Sequence, residues 1–208
     1  MSTGRIEAFS DGVFAIVVTL LVLEFHVPQV QGPDASAALA RGLTAMLPKL
    51  LSYMLSFLII CIWWIAHHHL FHLLKRSDRG LLWLNCLFLM FLAFIPFPTA
   101  LMGDYPSERI AVVSYGVVMT ATGLCFSGMR YYAFYVGALV GRDVEPSLLK
   151  NAMRRSAAGP ALHLVAIALA FVDPRWAIAM YTSIPLLYVL PSRLEKQSSR
   201  SEPSGNSR

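Results

Sequence analysis

Asp11 and the histidines at 67, 68, 69 and 72 are the side chains of this 208-residue sequence best suited to chemistry. A carboxylate and imidazoles can relay protons, and His68 and His72, four apart on one helix face, also have a spacing that suits a metal. No carboxylate or cysteine stands near them in sequence to complete a zinc site, so no metal site is expected. The plain reading of Ser10 and Asp11 is a helix cap or a pair at headgroup level. The sharper one is an intramembrane carboxylate that needs a partner. One histidine is expected to meet Asp11 or Ser10 across a helix interface and another to reach the headgroups. Trp63 and Trp64 can anchor at the interface or donate an indole N–H. Asn85 is expected to make an interhelical hydrogen bond. No nucleophile triad, glycine-rich phosphate loop or HExxH pattern is present, so no enzyme is expected.

The elements that must position these residues are apolar. Hydrophobic residues make up 56% of the chain and charged ones only 14%, with a mean hydropathy of +0.58. The charges gather between long apolar runs, the pattern of an all-α, polytopic membrane protein. Six segments are predicted to span: 6–26, 49–74, 81–102, 110–136, 157–172 and 176–191. Residues 13–25 have the length of a signal-peptide core, but Glu7 and Asp11 spoil the region before it and no cleavage site follows. An amphipathic stretch, Gly141 to Ser156, separates the fourth and fifth segments. Pro96 and Pro98 should kink or end the third. Gly137 and Gly141 form a small-xxx-small pair suited to close helix packing. The three cysteines, Cys61, Cys86 and Cys125, read as small buried hydrophobes. Residues 1–192 are read as one transmembrane domain and 193–208 as a polar, disordered tail.

The net charge of +5 is explained by topology rather than by nucleic acid. With the N-terminus inside, Arg5, Lys75, Arg76, Arg79, Arg142, Lys150, Arg154, Arg155, Arg193, Lys196, Arg200 and Arg208 fall on the cytoplasmic side. The outer loops hold only Arg41, Lys49, Arg109 and Arg175. That asymmetry places both termini in the cytoplasm.

The first helix separates into faces by angle. At 100° per residue, with Ile16 at zero, Leu20 falls at about 40°, Leu23 at about 340° and Thr19 at about 300°. Asp11 falls at about 220° and Ser10 at about 120°, so neither lies on the Ile/Leu stripe. By pattern alone that stripe is packing or lipid contact.

Three stretches together resemble the prokaryotic members of the endosomal/lysosomal potassium channel family, transmembrane protein 175. They are RIEAFSDGVFAIVVTLLVLEF at 5–25, WIAHH at 64–68, and LN at 84–85 running to PFPT at 96–99. The match is strong over about the first hundred residues; the last three segments agree in layout only. Phe14 departs from the commoner Ile or Leu, and the third histidine stands where a basic residue is often found. The resemblance implies a six-helix subunit that assembles as a homotetramer around four copies of the first helix. It also implies a pore constriction at Ile16, Leu20 and Leu23, and a threonine layer for ion discrimination at Thr19. Arg5, Ser10, Asp11, Trp64, His67 and Asn85 match polar positions that hold the pore helix to its neighbours.

The expected function is a moderately potassium-selective cation channel in the cell's inner (plasma) membrane. No TVGYG-type filter is present, so a narrow apolar ring is expected to discriminate and to gate by dewetting. The expected partners are copies of the chain, the bilayer and permeant monovalent cations. No cofactor beyond permeant K+ is expected. The rival reading is a proton-coupled transporter of an ion or small solute that relays protons through Asp11 and the cytoplasmic-side histidines. The lack of internal repeats weighs against it.

Overall fold

The computed structural model describes residues 3–30, 34–141 and 144–189. Each of the six apolar segments is helical over most of its described residues. The first is α1 (Thr3–Leu23), and a short α2 (Ala35–Ala45) follows it. The second segment is α3 (Leu47–Leu73). The third is split into α4 (Arg79–Phe94) and α5 (Pro96–Asp104). The fourth is α6 (Arg109–Tyr131), continued by a π-helical turn over Tyr132–Val136. The described residues end in α7 (Pro146–Ala170) and α8 (Pro174–Val189).

Among the described residues, four stretches are long and apolar enough to cross a membrane, by length and composition: Thr3–Leu23, Leu47–Leu73, Arg79–Asp104 and Arg109–Val136. The last two expected spans are helical but do not meet that standard. α7 absorbs part of the amphipathic stretch into one continuous helix, so its first half carries Lys150, Arg154 and Arg155. α8 has 16 residues and contains Pro185. The end of the sixth segment and the tail 193–208 lie outside the described residues. α2 was not anticipated. It is alanine-rich, which favours helix, none of its residues is buried, and Gly42 lets it lie against Pro28.

α6 is the central helix, packed along α7, α4 and α5, while α1 lies against α3 and α4. Lipid tails are as apolar as the side chains here, so close packing rather than escape from water must hold the helices together. Ile60, Phe88, Leu92 and Met119 are fully buried. Glycines permit the closest approaches. A Cβ on Gly123 would lie 2.7 Å from Pro160 of α7, and one on Gly116 would overlap the Tyr181 hydroxyl of α8.

Pro96 divides the third segment without ending it. Pro96 has no N–H to continue the α-helical ladder. The preceding Ile95 keeps helical torsions and its N–H turns to Leu92 in a tightened bond of 3.1 Å. The chain therefore kinks and carries on to Asp104, where Lys49 of α3 meets the carboxylate at 2.8 Å.

The other end of the bundle is tied by the α3–α4 turn. Asp78 caps α4, accepting from the Leu81 N–H at 2.8 Å, and its second oxygen accepts from Tyr132 at 2.9 Å. Leu74 and Val140 form an antiparallel bridge, and the Lys75 N–H donates to the Leu139 carbonyl at 3.0 Å. Gly137 serves this turn instead of helix packing: its N–H closes on the Tyr132 carbonyl at 2.8 Å. Ala138 follows with φ of 44°. The cysteines also differ from expectation. Cys86 is exposed, and Cys61 and Cys125 are only partly buried, with Cys125 packed against the core.

Candidate functional site: the first helix and its polar anchors

α1 has two apolar faces with different fates. Ile6, Ser10, Phe14, Val17 and Leu21 are buried against the rest of the subunit. Their angles cluster near 120° on the scale that puts Ile16 at zero. The opposite face is bare: Ile16 is 59% exposed, Leu20 39% and Leu23 67%. Thr19 and Gly12 are exposed on the same side, and a Cβ on Gly12 would meet nothing within 4 Å. Hydrophobicity alone cannot tell these faces apart, since both are rich in Val, Ile and Leu. Leu20 and Leu23 also border a shallow depression of about 340 Å³ shared with Phe94 and Phe97.

Two polar ties fix the rotation of α1. The inner one is fully buried and joins three helices. Ser10 donates to the Ile6 carbonyl at 2.8 Å and accepts from the Asn85 amide at 3.0 Å. The Asn85 carbonyl oxygen lies 2.9 Å from His67 Nε2. With the Asn85 amide nitrogen committed to Ser10, its oxygen can only accept, so His67 carries its proton on Nε2. The result is a directed chain of hydrogen bonds from His67 of α3 through Asn85 of α4 to Ser10 of α1. Such a chain suits a site away from water, where an unpaired polar group is costly.

The His67 ring sits in an aromatic box. Phe71 stacks at 4.3 Å between centroids, Phe88 lies at 6.0 Å and Phe14 meets it edge-on at 5.7 Å. Phe14, the one unusual residue in the first-helix motif, thus closes the box around the imidazole.

The outer tie is Asp11 with Trp64, whose indole N–H donates to the carboxylate at 2.8 Å. Both residues are exposed on the subunit. The expected meeting of Asp11 or Ser10 with a histidine therefore takes another form. Asp11 bonds the tryptophan, and His67 reaches Ser10 only through Asn85. His68 is stacked between Trp64, at 6.2 Å, and His72, at 6.3 Å. No group of three or more histidine, cysteine or acidic residues could hold a metal ion among the described residues. Arg5 is exposed near the start of α1, apart from both ties.

Thr19 bonds within its own helix, its hydroxyl lying 2.8 Å from the Ile16 carbonyl and 3.1 Å from that of Ala15. Its single proton is thereby turned inward, which leaves oxygen lone pairs facing the exposed side.

Sequence reasoning missed one further polar feature. Arg130, near the end of α6, is only 8% exposed. It donates to the carbonyls of Ala152 at 3.0 Å and Ala66 at 3.2 Å, and its guanidinium lies 4.8 Å from the Phe126 centroid. A lone arginine in an apolar run was the available signal, but its carbonyl partners carry no side-chain mark.

Residues 5–96, which contain both ties and the bare stripe, match the family described as endosomal/lysosomal potassium channel TMEM175. A protein of Streptomyces collinus named as a potassium channel is 37% identical over 89% of this chain and 91% of its own length. The chain belongs to the TMEM175 family. A second potassium channel by name, from Chamaesiphon minutus, is 37% identical over 91% of this chain and 95% of its own. The fold agrees too: the crystal structure of a lysosomal potassium-selective channel TMEM175 homolog from Chamaesiphon minutus superposes with a TM-score of 0.78 at 34% identity, covering 89% of this chain and 95% of that one. Relatives in vertebrates bear a different name. The chicken protein called endosomal/lysosomal proton channel TMEM175 is 28% identical over 89% of this chain but only 36% of its own length. This TMEM175-family chain is thus an all-helical, multi-pass membrane protein of a channel family.

Proposed function

We propose that the chain is one subunit of a homotetrameric, potassium-favouring channel in the plasma membrane, with four copies of α1 around the pore. Each subunit spans six times, α7 and α8 included, and both termini lie on the basic, cytoplasmic side. The observation that carries this reading is the bare stripe of α1. A helix rotationally locked by two polar ties turns Ile16, Leu20 and Leu23 away from its own subunit. The kinship with bacterial potassium channels supports what that stripe faces.

Four Ile16 side chains make a narrow apolar ring, with Leu20 and Leu23 as further rings along the axis. A cation crossing it must shed part of its hydration shell, and potassium holds that shell less tightly than sodium. Discrimination is moderate because apolar groups repay none of the lost hydration, and the same ring can dewet and gate. Thr19, with its lone pairs outward, offers partial replacement of the lost water. Ser10, Asp11, Trp64, His67 and Asn85 act as supports that keep the stripe on axis. Arg5, unpartnered by these ties within one subunit, supports the helix from the neighbouring copy.

The vertebrate relatives' name makes the proton a second candidate permeant. The rival proton-coupled transporter needs Asp11 beside a histidine, and the Asp11–Trp64 bond weighs against it. Reconstituted vesicles loaded with potassium, read with a pH dye and separately with a potassium-sensitive probe, decide between these. The expected result is passive potassium flux that rises in Ile16→Asn. Flux strictly coupled to a pH gradient would establish the transporter, and an unchanged rate in Ile16→Asn would remove Ile16 from the constriction.

A further inference from the structure

A cavity at the basic end of the bundle has no residue of α1 in its described lining. α3, α6, α7 and α8 enclose this cavity, of about 870 Å³. Its walls are largely apolar, with Ile59, Trp63, Leu73, Phe126, Phe134 and Ile184 among them. Arg130, Arg154 and Arg155 also border it, and none of its described lining residues is acidic. Three arginines therefore border a largely apolar space with no carboxylate among its described lining residues.

Arg130 is the deepest of the three. Its two terminal nitrogens are held by carbonyls of α3 and α7, but Nε has no hydrogen-bond partner among the described residues. Carbonyl dipoles and an aromatic face soften the burial of a charge without neutralising it. Arg154 and Arg155 stand about half a turn beyond Ala152, whose carbonyl Arg130 holds, and both are exposed. The cavity thus carries one buried arginine, Arg130, and two exposed ones, Arg154 and Arg155, on the neighbouring α7.

We propose that this cavity binds a phospholipid with a net negative headgroup, its phosphate on Arg154 and Arg155 near Arg130 and an acyl chain along the apolar wall. Two features set the chemistry of the occupant. Three arginines with no acidic residue among the described lining call for an anion that planar, fork-shaped donors can grip, and a phosphate is the membrane's own version. The volume and lining are wrong for a bare ion, which would leave the apolar wall empty. Basic pockets between spans on the cytoplasmic side are common places for such headgroups.

The test uses the full-length protein, delipidated in a neutral detergent and then titrated with phosphatidylglycerol, phosphatidylcholine or inorganic phosphate. Native mass spectrometry counts the molecules retained. Phosphatidylglycerol should bind at least tenfold more tightly than phosphatidylcholine, and inorganic phosphate should not displace it at equal concentration. The double variant Arg154→Gln/Arg155→Gln, whose altered side chains are exposed, should keep the wild-type melting temperature and lose most of that preference. Arg130→Gln should lose it as well where it folds. Equal retention of the two lipids overturns the proposal, as does an unchanged preference in the double variant. Displacement by free phosphate overturns it too, by showing an anion site indifferent to the chain.

Discussion

Trp64 of α3 holds the Asp11 carboxylate of α1 through its indole N–H at 2.8 Å, a tie between residues 53 apart in sequence. The tie lies at the exposed flank of α1, between the buried face and the bare stripe. A small rotation of the helix that exposed Ser10 would break it. It therefore acts as a stop on rotation as well as a source of adhesion.

The first prediction follows from that geometry. Asp11→Ala and Trp64→Phe each remove one partner, and the double variant should be little worse than either alone. A hydrogen bond to a charged group is worth about 1.5–3 kcal/mol, and exposure should bring this one toward about 1 kcal/mol. Thermal melting of the four proteins in one detergent gives the coupling energy. Strictly additive losses would show that the two side chains act independently.

The buried chain should be less forgiving. Asn85→Ala strips a partner from both His67 and Ser10, whereas Ser10→Ala strips one from Asn85 and only a side-chain donor from the Ile6 carbonyl of its own helix. An unsatisfied buried donor costs about 1–3 kcal/mol, though measured interhelical bonds in membranes average about 0.6 kcal/mol. Asn85→Ala should accordingly lower the melting temperature more than Ser10→Ala. The reverse order would mean that the Ser10 bond to Ile6, rather than the three-helix chain, matters for stability.

Much of this arrangement was legible in the sequence, for reasons that differ by residue. Ser10 and Asp11 are polar marks on an otherwise apolar helix, so their angles separate the faces even though hydrophobic periodicity cannot. Which histidine is buried was not legible. His67, His68 and His69 are adjacent, point about 100° apart, and only the position of α4 and its Asn85 selects the first. His67 lies two turns beyond buried Ile60 on the same side of α3, which becomes informative only once Ile60 is known to be buried. The first four spans were readable because each is a long apolar run. α7 was not readable as one helix, because its basic first half and apolar second half have different surroundings and share only a backbone. Arg130 shows the same limit: its partners are main-chain carbonyls, which every residue carries.

Ala138 offers a prediction about the turn that closes the α3–α4 end. Its φ of 44° lies in the left-handed region, which costs a residue with a Cβ about 1–2 kcal/mol. Ala138→Gly removes that cost and adds a smaller entropic one of about 0.4–1 kcal/mol in the unfolded chain. The variant should be stabilised by roughly 1 kcal/mol or less on those two terms. Ala138→Val, with a branched side chain at the same torsions, should be destabilised. Melting curves of the pair decide it, and equal stability of the two variants would mean that the turn relaxes out of this conformation.

Thr19 can be separated from the apolar rings proposed beside it. If Ile16 sets the width of the constriction and Thr19 supplies oxygen next to it, the two residues should fail differently. Thr19→Ala keeps the helix and the ring but removes four oxygens in a tetramer, so potassium flux should persist while the preference over sodium falls several-fold. Thr19→Ser keeps the oxygen and should retain most of the preference, although the smaller residue loosens packing. Thr19→Val keeps the shape and loses the oxygen, so it should resemble Thr19→Ala. Reversal potentials under potassium–sodium gradients in planar bilayers rank the four proteins. A Thr19→Val channel as selective as the wild type would assign the discrimination to the width of the apolar ring and leave the hydroxyl only its bond to the Ile16 carbonyl.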